Sequence, residues 1–335
     1  MKFISIVSLF YLVSGFASAE MSPGERFNEW LDTFDIYLED SMSHFTTFDK
    51  WLDNDEFINN FNAKNATHVL GHNQFSGMDR NDYKLYLGYS KSLATPKYLS
   101  RTRSLPQAVV DSVNWVEKGG VTPVKDQGQC GSCWSFSTTG ALEGAYFVKK
   151  GTLQSFSEQQ LVDCDTLKNG GRDMGCNGGL MDNAFNWIKR NGGLCAENDY
   201  PYKSGDTQTA GTCSKTCSAV TGSSVVSFVD VPPSDDNQMM AAIMKQPVSI
   251  AIEADQREFQ LYKSGVFKTT CGTTLDHGVL VVGYGTEDNG DYYLVKNSWG
   301  DSWGDNGYIK MARGKEYNGG DGQCGLLLSA SYPIL

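Results

Sequence analysis

The chain has 335 residues, a formal net charge of −11, and hydrophobic and charged fractions of 40% and 20%. This is enough for one large globular domain or two modest ones whose core does not depend on cross-links. Beyond residue 105 there are 26 acidic and 18 basic residues, which excludes a surface that seeks nucleic acid or inserts into anionic membranes.

The first 19 residues read as a secretory signal. Lys2 supplies the positive end, residues 3–16 are mostly apolar, and Ala17-Ser18-Ala19 fits a small-x-small cleavage pattern. From residue 20 to about 82 the chain lacks cysteine and reads as helical. Phe27, Trp30, Phe34 and Tyr37 fall at helical spacing, as do Phe48, Trp51, Leu52, Phe57, Ile58 and Phe61. Asn65-Ala66-Thr67 is an acceptor pattern for glycosylation at Asn65. Between Asp82 and Asp111 stand five basic residues and no acidic one, with frequent Ser, Thr and Pro, so this stretch reads as an exposed linker and a place for processing.

The texture changes near residue 105. A helix is predicted over 133–150, closed by Lys149-Lys150 and Gly151. Ser157-x-x-Gln160 starts a second helix as a capping box. A third runs from Met181 to Arg190 and stops at Gly192-Gly193. Val248, Ile250 and Ile252 form one face of a period-two run. Residues 279–284 and 292–295 flank a predicted Asn289-Gly290 hairpin turn. A helical half followed by a β-rich half suggests two lobes with a cleft between them.

All nine cysteines lie between Cys130 and Cys324. In an oxidising compartment they default to disulfides, and the odd number leaves at least one thiol over. Cys130-x-x-Cys133 also has zinc-like spacing. Beyond residue 72 the chain holds one histidine, so a site of two cysteines and two histidines is not available there, although four thiolates would still serve. No metal and no cofactor is expected.

Cys133 stands where a helix begins, and the positive end of a helix favours thiolate over thiol. A nucleophilic thiol also needs a base or ion-pair partner. His277, 144 residues further on, takes that role by elimination. Asn297 can accept the imidazole N–H, Trp299 can shield that bond, and the Gln127 amide can join the Cys133 backbone N–H in binding an oxyanion.

These residues stand in Gln127-Gly128-Gln129-Cys130-Gly131-Ser132-Cys133-Trp134, Leu275-Asp276-His277-Gly278-Val279 and Lys296-Asn297-Ser298-Trp299-Gly300. With residues 157–164 (SEQQLVDC) and 175–181 (GCNGGLM), they make the chain resemble papain-like cysteine peptidases of the cathepsin L-like group over nearly its whole length. The resemblance implies an α+β, two-lobe fold: a helical left lobe with a central helix, a β-barrel-like right lobe, and a cleft between. It implies a signal at 1–19, an inhibitory propeptide with linker at 20–104 and a peptidase domain at 105–335.

By the same resemblance Gln127, Cys133, His277 and Asn297 carry the oxyanion, nucleophile, base and orienting roles. Gly178, Gly179, Leu180, Met181, Ala251, Leu275, Asp276, Trp299 and Ser329 line the substrate cleft. Leu180, Met181, Ala251, Leu275 and Ser329 surround the pocket for the second residue before the cut. Cys130 pairs with Cys176, Cys164 with Cys213, and Cys271 with Cys324. Cys195 and Cys217 remain and are expected to form a fourth bridge, although Cys213 and Cys217 are close enough to exchange.

The propeptide pattern E-x3-R-x3-F-x2-N-x3-I-x3-N is matched by Trp51, Asn54, Ile58 and Asn62, but Ser43 and Thr47 stand at its acidic and arginine positions. In residues 71–77 (GHNQFSG), Gly77 replaces the final aspartate, a residue credited with acid sensing in relatives. His44, His68 and His72 are then the remaining candidates for an acid trigger, if buried.

The expected activity is that of an acid-activated endopeptidase. Only eleven residues separate Cys164 from Cys176, and four separate Cys176 from Met181, which leaves no room for an occluding loop. Leu99 would fill the apolar pocket for self-cleavage after Ser100. Expected partners are polypeptide substrates, the propeptide itself and cystatin-type inhibitors, with a monomeric enzyme in a lysosome, a vacuole or outside the cell. Two other readings are an inactive peptidase-like binding protein and a disulfide-exchange protein using Cys130-x-x-Cys133.

Overall fold

The structure is a computed structural model; it describes residues 21–90 and 110–335 together with Leu93 and Leu105. The signal at 1–19 and the cut after Ser100 lie outside the described residues.

The N-terminal segment begins with two helices, α1 (Pro23–Thr33) and α2 (Ser41–Asn62). Ser22 caps α1 in a capping box with Glu25. Phe27, Trp30 and Trp51 bury against one another between the two helices. Tyr37, expected on the same helical face, lies beyond α1 and is exposed, because the chain turns at Phe34 and Asp35.

The helical reading of residues 20–82 also fails between 63 and 79, where the chain is mostly irregular and forms a short strand, β1 (His68–Leu70). Asparagine side chains take up its backbone groups. Asn62 donates to Leu70 O and accepts from Leu70 N, while Asn54 donates to Ser76 O and Met78 O. Those four bonds satisfy polar backbone that would otherwise be buried without partners. At Gly77 an added Cβ would lie 2.6 Å from Thr47 Cγ2 and 2.7 Å from Trp30 Cη2. Two of the three positions that break the family pattern, 47 and 77, therefore face each other across an apolar contact. After a short α3 (Arg80–Tyr83) the chain turns toward the cleft.

The remainder of the chain opens with β2 (Val113–Asn114) and is centred on α4 (Cys133–Lys150), whose first thirteen residues are buried. Gly151 ends α4 in a left-handed conformation at φ 72°. Around it stand α5 (Glu158–Cys164), α6 (Met181–Asn191) and the single turn α7 (Ser204–Thr207). Ser157 caps α5 by accepting from Gln160 N, but the expected reciprocal bond is absent because Gln160 Oε1 accepts from Cys195 N instead.

The second half contains β3 (Ser227–Asp230), α8 (Asp236–Ile243), β4 (Val248–Ile252), α9 (Arg257–Gln260), β5 (Tyr262–Phe267), β6 (His277–Glu287), β7 (Gly290–Lys296), β8 (Tyr308–Ala312) and β9 (Ala330–Ile334). They form an open, mostly antiparallel sheet in the order β1-β5-β8-β7-β6-β4-β9-β3, with β2 also on β6. Among the described strands only β5 and β8 run parallel. β4 is buried on both faces, since α4 covers one side of the sheet. The β6–β7 hairpin pairs Glu287 with Gly290, so the turn residues are Asp288-Asn289, one position earlier than the Asn-Gly pair suggests.

The strand β1 of the N-terminal segment joins this sheet as its outermost member, antiparallel to β5. Ion pairs support the docking: Arg257 with Asp53 at 2.6 Å, and Asp255 with Arg80 at 2.6 Å and Lys84 at 3.4 Å. Four disulfides join Cys130–Cys176, Cys164–Cys213, Cys195–Cys217 and Cys271–Cys324, and Cys133 is the free cysteine. Among the described residues no helix is long and apolar enough to cross a membrane.

Candidate active site

The first residue of α4, Cys133, faces the first residue of β6, His277, across the junction of helix and sheet. Gly278 N donates to Cys133 Sγ at 3.3 Å. His277 Nε2 meets Asn297 Oδ1 at 2.8 Å, which leaves Nδ1 without a hydrogen-bond partner in the protein. Trp299 stacks on the imidazole with ring centres 4.6 Å apart. Both His277 and Trp299 are fully buried. Gln127 sits behind the cysteine loop, where its Oε1 accepts from Ser298 Oγ at 2.7 Å.

The Gln127 amide donor is engaged. Nε2 donates to Cys130 O and, from the N-terminal segment, to Tyr86 O, each at 2.8 Å. That segment continues through the cleft as an extended strand. Gly179 N donates to Gly88 O, Tyr89 N to Asp276 O and Ser90 N to Gly179 O. Tyr89 reaches Ser329 with 3.0 Å between the two hydroxyl oxygens. An added Cβ on Gly178 would meet Gly88 O at 2.9 Å.

Four of the nine expected cleft residues touch this strand. Gly178, Gly179, Asp276 and Ser329 touch residues 88–90; Trp299 O accepts from Gln74 Nε2; and Ala251 N donates to Ser329 O. Met181 packs at Gly278, Leu275 packs at Gly325, and Leu180 is buried at the start of α6.

This cover alters the electrostatics of the pair. Burial pushes the Cys133 thiol up to about 11, against a partial offset from the backbone N–H groups of Gly278 and Gly88. Burial pushes His277 down to about 4, although its bond to Asn297 pulls the other way. Removing charge from water is costly, so under the strand both groups stay neutral.

Two sets of residues were not anticipated from sequence. The first is Tyr86, Gly88 and Tyr89, the part of the linker that occupies the cleft; a glycine between aromatic residues was its one signal of close backbone approach. The second is a buried charge cluster beneath the cleft. Lys125 bonds Glu143 at 3.0 Å and Glu158 at 2.6 Å, and Lys296 donates to Thr122, whose hydroxyl donates to Glu143. Burial lowers Lys296 to about 8, with Glu143 opposing. Lys125 and Lys296 lie two residues before Gln127 and one before Asn297, so the cluster ties the segments carrying both to α4.

A helix-borne cysteine, a strand-borne histidine and an orienting asparagine define a thiol-protease arrangement. A family model described as "Papain family cysteine protease" matches residues 109–334. The chain belongs to that family. It is 47% identical over 289 residues to a probable cysteine protease, RD21B, of Arabidopsis thaliana; the match covers 86% of this chain and 60% of that protein. The chain therefore spans about three fifths of that relative's length. A solved recombinant stem bromelain precursor superposes with a TM-score of 0.82 at 35% identity, covering 93% of this chain and 99% of that one. A digestive procathepsin L2 proteinase from Tenebrio molitor larval midgut superposes with a TM-score of 0.83 at 33% identity, covering 94% and 100%.

Proposed function

We propose that this chain is a cysteine endopeptidase made as an inhibited precursor, in which residues 20–104 hold residues 105–335 silent. The observation that carries this reading is the chain's own strand in the cleft. It is hydrogen-bonded to both walls, with Tyr86 O on the Gln127 amide and Tyr89 at Ser329. It occupies the place of a peptide substrate, and the two precursors it resembles carry the same arrangement of fold.

With the strand gone, the Cys133 thiolate attacks the scissile carbonyl carbon and forms an S–C bond. The oxyanion takes hydrogen bonds from Gln127 Nε2 and the Cys133 backbone N–H. The protonated His277 gives its proton to the leaving amine, and the C–N bond breaks. A water molecule then loses a proton to His277 and attacks the thioester, releasing the acid and the thiolate. Asn297 holds the imidazole plane throughout, and Trp299 keeps water from that bond.

Leu180, Met181, Ala251, Leu275 and Ser329 form the pocket for the second residue before the cut. None is charged, so Leu, Phe and Val are favoured there, and a cation finds no partner. Asn65, exposed beside β1, is offered as a glycan site. The processed enzyme is a monomer open to cystatin-type inhibitors. Its disulfides suit the secretory pathway, ending in a lysosome, a vacuole or outside the cell.

The test is a peptide-library cleavage profile of the acid-processed protein, alongside labelling of Cys133 by an epoxide or vinyl-sulfone probe. Selection for Leu, Phe or Val is expected, and Ser329→Glu should add tolerance of Arg. A profile dominated by Arg in the unaltered protein contradicts the pocket assignment. A processed protein that neither cleaves nor labels returns the reading to an inactive binding homologue.

A further inference from the structure

His68 is the first residue of β1, the strand by which the N-terminal segment joins the catalytic sheet. It is 2% exposed, and both ring nitrogens lack hydrogen-bond partners. Its surroundings are aromatic: Phe61 on α2 at 4.8 Å, and Phe267 and Tyr262 on β5 at 4.9 Å and 6.3 Å between ring centres. Two of these three rings belong to the catalytic part, so the imidazole is sealed by docking itself. Of these three rings only the Tyr262 phenol can titrate; that hydroxyl already donates to Gly265 O, and its own deprotonation is pushed upward by burial. Among the described residues no carboxylate accepts a hydrogen bond from His68. An imidazolium there would be a buried, unpaired cation.

The second buried histidine differs. His72 stacks on Trp51, and its Nε2 lies 3.0 Å from Asp55 Oδ1, a carboxylate shared with Arg26. Lys263 of β5 also acts on it and, like Arg26, disfavours a second charge. Burial outweighs the Asp55 bond and lowers its affinity for a proton, but the carboxylate can stabilise part of that charge. His44 is exposed and faces only the Phe27 ring.

We propose that His68 is the acid switch of the precursor: its protonation expels β1 from β5 and thereby loosens the strand that fills the cleft. This rests on the precursor reading above.

The direction follows from linkage. Docked, His68 is lowered to about 4 from an ordinary 6.5. The docked state therefore binds fewer protons than the released one. Docking is at full strength above pH 6.5 and is lost progressively as pH falls towards 4. Between pH 7.5 and 4.5 this one group favours release by roughly 70-fold.

The experiment uses the full chain carrying Cys133→Ser, so that no self-cleavage intervenes. Hydrogen exchange at Gly71 N, bonded to Leu261 O, and Val266 N, bonded to Thr67 O, reports opening of this interface. With intrinsic rates corrected for pH, the opening constant should rise steeply from pH 7.5 to 4.5. Adding His68→Phe, which fills the aromatic site without a titrating nitrogen, should reduce that rise by tenfold or more; His68→Leu serves if the Phe variant does not fold. A smaller reduction overturns the proposal. A chain with Cys133 intact that never cleaves peptides would sink the protease reading yet leave this measurement standing.

Discussion

In the proposed precursor, one strand silences Cys133 and His277 in two ways. Substrate is excluded, and the groups that must form an ion pair are held neutral, the thiol near 11 and the imidazole near 4. Removing the strand returns water to the site and reverses the burial that causes both shifts. Alkylation by iodoacetamide at pH 6 should therefore be at least about tenfold slower in the intact precursor than in the processed enzyme; equal rates would contradict this account. Cys133→Ser should abolish peptide cleavage in a folded protein. Asn297→Ala should retain more activity, because the asparagine orients the imidazole without transferring a proton. Retained cleavage by Cys133→Ser would remove the nucleophile assignment. Cys133, His277, Asn297 and Gln127 were legible because each sits in a short, specific stretch of chain. Tyr86 and Tyr89 were not, since nothing local distinguishes an aromatic residue in a cleft from one on a linker.

Gly88 shows how closely the covering strand approaches the cysteine loop. An added Cβ there would lie 1.9 Å from Gly131 O, and backbone on both sides cannot give way. Gly88→Ala should weaken inhibition, seen as peptidase activity of the unprocessed precursor at neutral pH; a fully silent variant would show that the strand can shift. The bridge from Cys195 to Cys217 closes a loop with a sequence separation of 22. Replacing both by serine should cost about 3 kcal/mol in urea unfolding of the whole chain. A stability unchanged by that replacement would mean the bridge constrains little in the unfolded chain. The helices from Cys133 and Met181 were legible from period and stop signals, because both ends carry them. β1 was not: three residues are too few to show a period, and its pairing partner Gly265 lies nearly two hundred residues away.

The two-lobe architecture was legible from motif order and from the change of texture along the chain. The buried cluster of Lys125, Glu143, Glu158 and Lys296 was hidden, because charged residues read as surface until tertiary contacts bring their partners together. The precursor as a unit should process itself on acidification, as protonation of His68 loosens β1. Incubation of pure protein from pH 7 to 4 should yield new N-termini near residue 100, and the Cys133→Ser control should yield none. Processing of that control without added protease would exclude self-cleavage. Maturation has a colloidal side as well. Departure of β1 and its flanks strips the outer member from the sheet and leaves the Val266 amide and the carbonyls of Leu261 and Val266 facing solvent. Such a bare rim invites strands from other molecules. Lys263 and the left-handed Gly265, at φ 89°, are the features that blunt it. A processed protein carrying Lys263→Val should precipitate at lower concentration than its parent, while the precursor of the same variant, still capped by its own strand, stays dispersed.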